Sequence, residues 1–189
     1  MPPAPIPAFA YPMTTHVVTN QPGALAGVNY YEADTILREA VAREGAEWVA
    51  ERASKLGAAA GDPEVQEHAH LANKHGPVLK SHDRFGHRID SVDFHPSYHM
   101  LMELAFGSGV HSLSWTANRR GAHTARATLS YLWNQIENGI GCPTGMAYSS
   151  IPSLRLVPAI QRDWEHKILA EGYDPRPIPV TEKYAATIG

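Results

Sequence analysis

Cysteine is nearly missing from this chain: Cys142 is the only one in 189 residues. One thiol cannot form an internal disulfide or build a thiolate zinc site. A reducing, cytoplasmic setting is therefore the default expectation. Long apolar runs are missing too. Windows such as Met100–Phe106 fall far short of the roughly 20 residues that a membrane-spanning helix needs. No basic region leads into an apolar run at the N-terminus, so a secretory signal is not expected. Charge is sparse, at 19% of residues, and sums formally to -3. That balance gives no basic footprint for nucleic acid. Arg119, Arg120 and Arg126 form a local cluster, which reads first as a solvated turn.

Signatures of self-contained chemistry are also absent. The chain has no G-x-G-x-x-G, no P-loop, no G-x-S-x-G elbow and no H-E-x-x-H. Eleven histidines invite a metal hypothesis. His95 and His99 are four apart, a spacing that shares a helix face, but Pro96 stands where a metalloprotease has glutamate. His68 and His70 are two apart and diverge on a helix. Capping and core-edge roles are the commoner outcome, and no metal site is expected. Cys142 precedes Pro143 with no visible basic partner, so packing is its expected role. Glu103 and Glu137 lie in apolar helices, as functional carboxylates or as paired ones. Trp115, Tyr131, Trp133 and Tyr148 could line a ligand cavity, although aromatics at helical spacing are more often core.

What is present is a hydrophobic content of 43%, ample for a packed core. It concentrates from Asp93 to Trp164 in helix-like segments. Five prolines between Pro2 and Pro12 forbid helix at the front, so residues 1–30 are expected to form an extended arm. Residues 31–178 read as one helical domain. Asp34 and Asp62-Pro63 are helix starts. Gly45 and Gly57 allow either two short helices or one kinked helix between them. Val78–Phe94 reads as a hairpin or loop, and 97–106 as helix. A longer helix is expected over 122–140, broken by Cys142-Pro143. Ala147–Leu156 should be interrupted at Pro152, and Gln161–Ala170 should form a last helix. Residues 179–189 look strand-like. The expected class is all-α, a bundle of about five or six helices with an extended arm and a strand-like tail.

Five runs carry a family resemblance: TNQPGAL; REAVAREGAEW; HLANKHGPVLKSHDRFGHRIDSVDFHPSYHMLM; GCPTGMAYSSIPSLR; and DWEHKILAEGYDPR. Together they resemble the acyl-CoA dehydrogenase superfamily, in its alkylation-response, AidB-type branch. The HPSYHMLM and CPTGMAYSSIP runs are the most specific. The resemblance implies the N-terminal helical domain of a three-part FAD flavoprotein. A middle β-domain and a C-terminal helical bundle would hold the flavin and the catalytic carboxylate, and a basic C-terminal region would meet DNA. The intact protein would be a homotetramer that oxidises acyl thioesters or protects DNA. Residues 179–189 would lead into the missing β-domain, so this chain is expected to be truncated or split and inactive alone, with no FAD bound. Its share of the cavity wall would lie within Trp133–Ser150, with Cys142, Thr144, Met146 and Ser149 as candidates nearest the flavin or acyl chain. No catalytic residue is expected here. The rival reading is a standalone helical interaction module that binds a partner carrying the flavin and C-terminal domains.

Overall fold

The computed structural model of the chain describes residues 19–188. Pro2, Pro3, Pro5, Pro7 and Pro12 of the expected arm lie outside them. The described residues are mostly helical, as expected, but use nine α-helices, several of them short, and one hairpin. Helix α1 (Tyr30–Ala33) starts where the Asn29 side chain accepts from the amides of Tyr31 and Glu32. Helix α2 (Thr35–Arg43) starts at Asp34, whose carboxylate accepts from Leu37 N at 2.8 Å. Gly45, at φ +73, closes α2 in a conformation that costs glycine little.

Gly57 is no break. It lies buried inside α3 (Ala50–Ala60). A Cβ there would stand 2.5 Å from both Asn29 Oδ1 and Tyr31 N, so glycine is what lets α1 lie against α3. Helix α4 (Pro63–Lys74) takes Asp62 as its cap and Pro63 as its first residue. Strands β1 (Val78–His82) and β2 (Arg88–Asp93) form an antiparallel hairpin. Helix α5 (Pro96–Gly107) follows, then α6 (Leu113–Thr116) and α7 (Ala122–Trp133). The core gathers Leu56 of α3, Leu101, Met102 and Phe106 of α5, and Leu129, Leu132 and Trp133 of α7, each at most 1% exposed.

The expected long helix over 122–140 stops at Trp133. Ile136 and Ile140 stay buried and so continue the apolar period across what is a turn. The Glu137 carboxylate accepts from Gly139 N and from Asn73 Nδ2, which holds the turn in place. Cys142-Pro143 does not break a helix. It sits in the first turn of α8 (Gly141–Leu154), where a missing amide hydrogen leaves no bond unmade.

Pro152 does not interrupt α8 either. Lacking an N–H, it leaves the carbonyl four residues back, that of Tyr148, without its helical donor. The Trp115 indole supplies the substitute, with Nε1 donating to Tyr148 O at 2.9 Å. Helix α9 (Pro158–Ile168) packs on α8.

The tail is not a strand. Val180–Glu182 makes a 3-10 turn, and the Lys167 ammonium donates to the carbonyls of Val180, Thr181 and Lys183 at 2.8–2.9 Å. Three carbonyls aimed at one cation cannot alternate as they do in a strand. Ala186 N then donates to Lys167 O at 3.0 Å, and Ala185 and Ala186 are buried.

A double-mutant cycle tests the helix repair. Trp115→Phe removes the donor but keeps a ring, and urea titration should show a loss of about 1–2 kcal/mol. With Pro152→Ala, residue 152 donates to Tyr148 O itself, and the same change should cost less than about 0.5 kcal/mol. Equal costs in both backgrounds would contradict the repair.

Candidate functional site

Helix α8 turns its apolar small residues two ways. Thr144, Ala147 and Ile151 are buried. Cys142, Met146 and Ser149 are exposed, at positions i, i+4 and i+7 of the same helix. The structure thus brings three of the four candidates onto one outward face. Thr144 is the exception: it is 2% exposed, and its hydroxyl donates to Ile140 O and Gly141 O at 3.2 and 3.1 Å, leaving none for a ligand. Cys142 is exposed, which corrects the expectation that it packs inside. It stands in the first turn of α8, where the inward positions belong to Thr144 and Ala147.

More apolar residues are open to solvent beyond the end of α8. Leu156 is 82% exposed, and Val157, Ile160 and Trp164 are open as well. Grouped exposed apolar residues are a common mark of a surface that another part covers.

Behind this face, α8 is tied down by an aromatic and basic cluster. Trp115 and Tyr148 rings lie 5.4 Å apart, and His123 meets Trp115 edge-on at 5.2 Å. The Arg126 guanidinium lies 3.9 Å over the Tyr148 ring while its Nε donates to Val110 O at 2.8 Å. Burial lowers the Arg126 pKa, and the neighbouring Tyr148 opposes that shift. The four aromatics do not line one cavity. Trp133 is core, and Tyr131 is exposed with its hydroxyl donating to Asp34 Oδ2 at 3.2 Å.

Several of the described histidines have structural partners. His95 caps α5 and stacks on His75 at 4.9 Å; His68 meets Ser97 Oγ at 2.9 Å. His99 shares a 2.9 Å hydrogen bond with the Tyr173 hydroxyl, whose pKa burial and then Tyr98 push up to about 12. Among the described residues no three His, Cys, Asp or Glu side chains gather as a metal site. Glu103 is exposed, and Glu137 is buried but engaged in its turn. A cleft of about 580 Å³ lies between α3 and the α5–α6 turn, away from α8. Its cations are already matched: Arg52 by Glu171 at 2.6 Å, Lys55 by Glu51 at 2.7 Å, and Arg119 over the Trp48 ring.

Two residues that no sequence motif marks hold the segment that follows α9. Asp174 is buried and takes Arg176 in a fork at 2.8 and 2.6 Å, which holds its pKa well below the usual carboxylate range. His111 is fully buried against Phe106, and its Nε2 bonds Ala170 O at 3.1 Å, just before the tail. Its Nδ1 has no partner among the described residues. Burial drives its pKa from 6.5 down to about 4; the Ala170 carbonyl and Glu171 oppose the shift, and Arg126 adds to it.

The folded chain therefore holds His111 neutral where the unfolded chain has begun to protonate it. Stability is complete above pH 6.5 and falls as pH drops towards 4, by up to about 3 kcal/mol. Urea midpoints across that window should fall for the native chain, and the fall should flatten for His111→Gln. A fall of the same size in His111→Gln would assign it elsewhere.

A family model described as the adaptive response protein AidB N-terminal domain matches residues 20–175. The putative acyl-CoA dehydrogenase AidB of Escherichia coli K12 is 39% identical over 177 residues, which are 93% of this chain and 33% of that protein. The chain thus spans a third of the length of that curated relative. Among solved structures, the apo-form of Bd2924 superposes with a TM-score of 0.71 at 19% identity, over 82% of this chain and 32% of its own. Caenorhabditis elegans ACDH-11, solved in complex with C11-CoA, superposes at 0.69 and 19%, over 96% and 31%. No helix among the described residues is long and apolar enough to cross a membrane.

Proposed function

This chain belongs to the AidB N-terminal domain family, and from that premise we propose that it is the helical wall of an acyl-CoA dehydrogenase-like FAD oxidoreductase of the alkylation-response branch. The carrying observation is the outward row of Cys142, Met146 and Ser149 on α8, with Leu156, Val157, Ile160 and Trp164 also exposed after it. In this reading the remainder of a flavoprotein covers that face, with FAD or an acyl chain on the α8 part of it. FAD would supply the hydride acceptor for oxidation of a CH–CH bond in an acyl thioester. This chain's own part is to exclude water and fix the ring's position through an apolar wall. It offers no carboxylate there to move a proton, so the base comes from outside it.

The division follows the same logic. Residues 1–30 serve as an arm for contacts between subunits of a cytoplasmic homotetramer, 31–178 as the wall, and 179–189 as the lead into the flavin-holding part. DNA protection would belong to regions outside these residues, consistent with a net charge of -3. By itself the chain would bind no FAD and turn over no substrate. The same open face supports a second reading, in which the chain is a standalone module that takes the flavin-bearing part as a separate partner.

Fusion to the flavin and C-terminal parts of an AidB-type protein is the test. The joined protein should purify yellow with FAD, and the chain alone colourless. Met146→Asp and Ser149→Trp in the joined protein should weaken FAD binding by about tenfold or more. Full FAD occupancy in both variants would contradict the placement. Flavin held by the chain alone would contradict the division of labour. Yellow protein formed by mixing separate parts would favour the second reading.

A further inference from the structure

The hairpin is the least covered element of the molecule. Every residue of β1 and β2 except Ser91 is exposed, including Leu79 at 66%, Ile89 at 46% and Val92 at 49%. A two-stranded hairpin with both faces in water is marginal, and its outer strand edges carry unpaired backbone groups.

Its register decides which side chains share a face. Lys80 pairs with Ser91 but His82 pairs with Arg88, so β2 carries one residue more than β1 between these pairs, and Asp90 takes φ +44 there. That bulge shifts the alternation. Arg88, Ser91 and Asp93 fall on one face with Lys80 and His82. Ile89 and Val92, three apart in sequence, fall together on the other with Leu79.

We propose that β2 is a homotypic docking edge that pairs antiparallel with β2 of a second copy of this chain across a two-fold axis. Centred between Asp90 and Ser91, the pairing sets Arg88 opposite Asp93 of the partner and Ile89 opposite Val92 of the partner, twice each. The bulge is what allows both pairs to lie on common faces. One face then carries a patch of Leu79, Ile89 and Val92 from both copies. The other carries a charge row, with Asp93 between Lys80 of its own hairpin and Arg88 of the other copy. Other pairings do not match. Parallel β2 strands would set Arg88 on Arg88 and Asp93 on Asp93. Antiparallel β1 strands centred on Lys80 would set Lys80 on Lys80. The present ion pairs, Arg88 with Asp90 and Lys80 with Asp93, are exposed and cost little to rearrange. The resulting contact is isologous and closed, which limits assembly through this edge to pairs. It does not depend on the flavin reading.

Sedimentation equilibrium of the 189-residue chain tests it. The chain should form a dimer. Arg88→Asp and Asp93→Arg should each raise the dimer Kd about tenfold or more, and the double swap should recover most of the loss. Ile89→Lys should weaken the dimer, and Ser81→Lys on β1 should not. The helical melting transition, followed by circular dichroism, should stay unchanged in all of them, because these side chains lie outside the core. A chain that stays monomeric at its highest soluble concentration would overturn the proposal. So would a dimer indifferent to the single swaps, or single swaps that the double does not repair.

Discussion

The Trp115 indole hydrogen bond to the Tyr148 carbonyl keeps α8 whole. Pro152 removes a helical donor, and a side chain 33 residues before Tyr148 replaces it. Around that bond, Arg126 and His123 of α7 close on the Tyr148 ring, so α6, α7 and α8 are fixed to one another at a single point. A helix broken at Pro152 would send its second half and α9 elsewhere. The continuous helix instead holds Cys142, Met146 and Ser149 in a row and leads to the open apolar residues beyond Leu154.

The other end of that face is fixed by charge rather than by ring packing. Lys167 gathers the carbonyls of residues 180, 181 and 183, and the buried Asp174 holds Arg176 and the Tyr184 amide. His111 bonds Ala170 O from inside the core. The chain therefore runs back along α9 in a set direction. Helix α8 and the segment after α9 are thus each held by a few side chains from distant parts of the chain.

Much of the helical layout is legible in the sequence because its signals are local. Asp34 caps a helix, Asp62-Pro63 starts one, and the apolar spacing in 97–106 marks α5. The failures share a cause: the deciding partner is distant. Pro152 looks like a breaker until Trp115 is beside it. Ile136 and Ile140 keep a helical period because burial, not helix, demands it, while Glu137 and Asn73 hold a turn. The tail has strand composition, but Lys167 folds it. Of the site, the row on α8 could be located only through motif resemblance. Which candidates point outward depended on where Gly141 starts the helix, and that start hid Thr144 and exposed Cys142.

The proposal that the α8–α9 side of this domain is covered by the rest of a flavoprotein rests on the exposed residues from Cys142 to Trp164. Amide hydrogen exchange, compared between the chain alone and the chain joined to the flavin-bearing part of an AidB-type protein, tests it most directly. The account predicts new protection over residues 142–164, with little change over the core helices α3 and α5. Unchanged exchange over 142–164, with protection arising elsewhere, would contradict it.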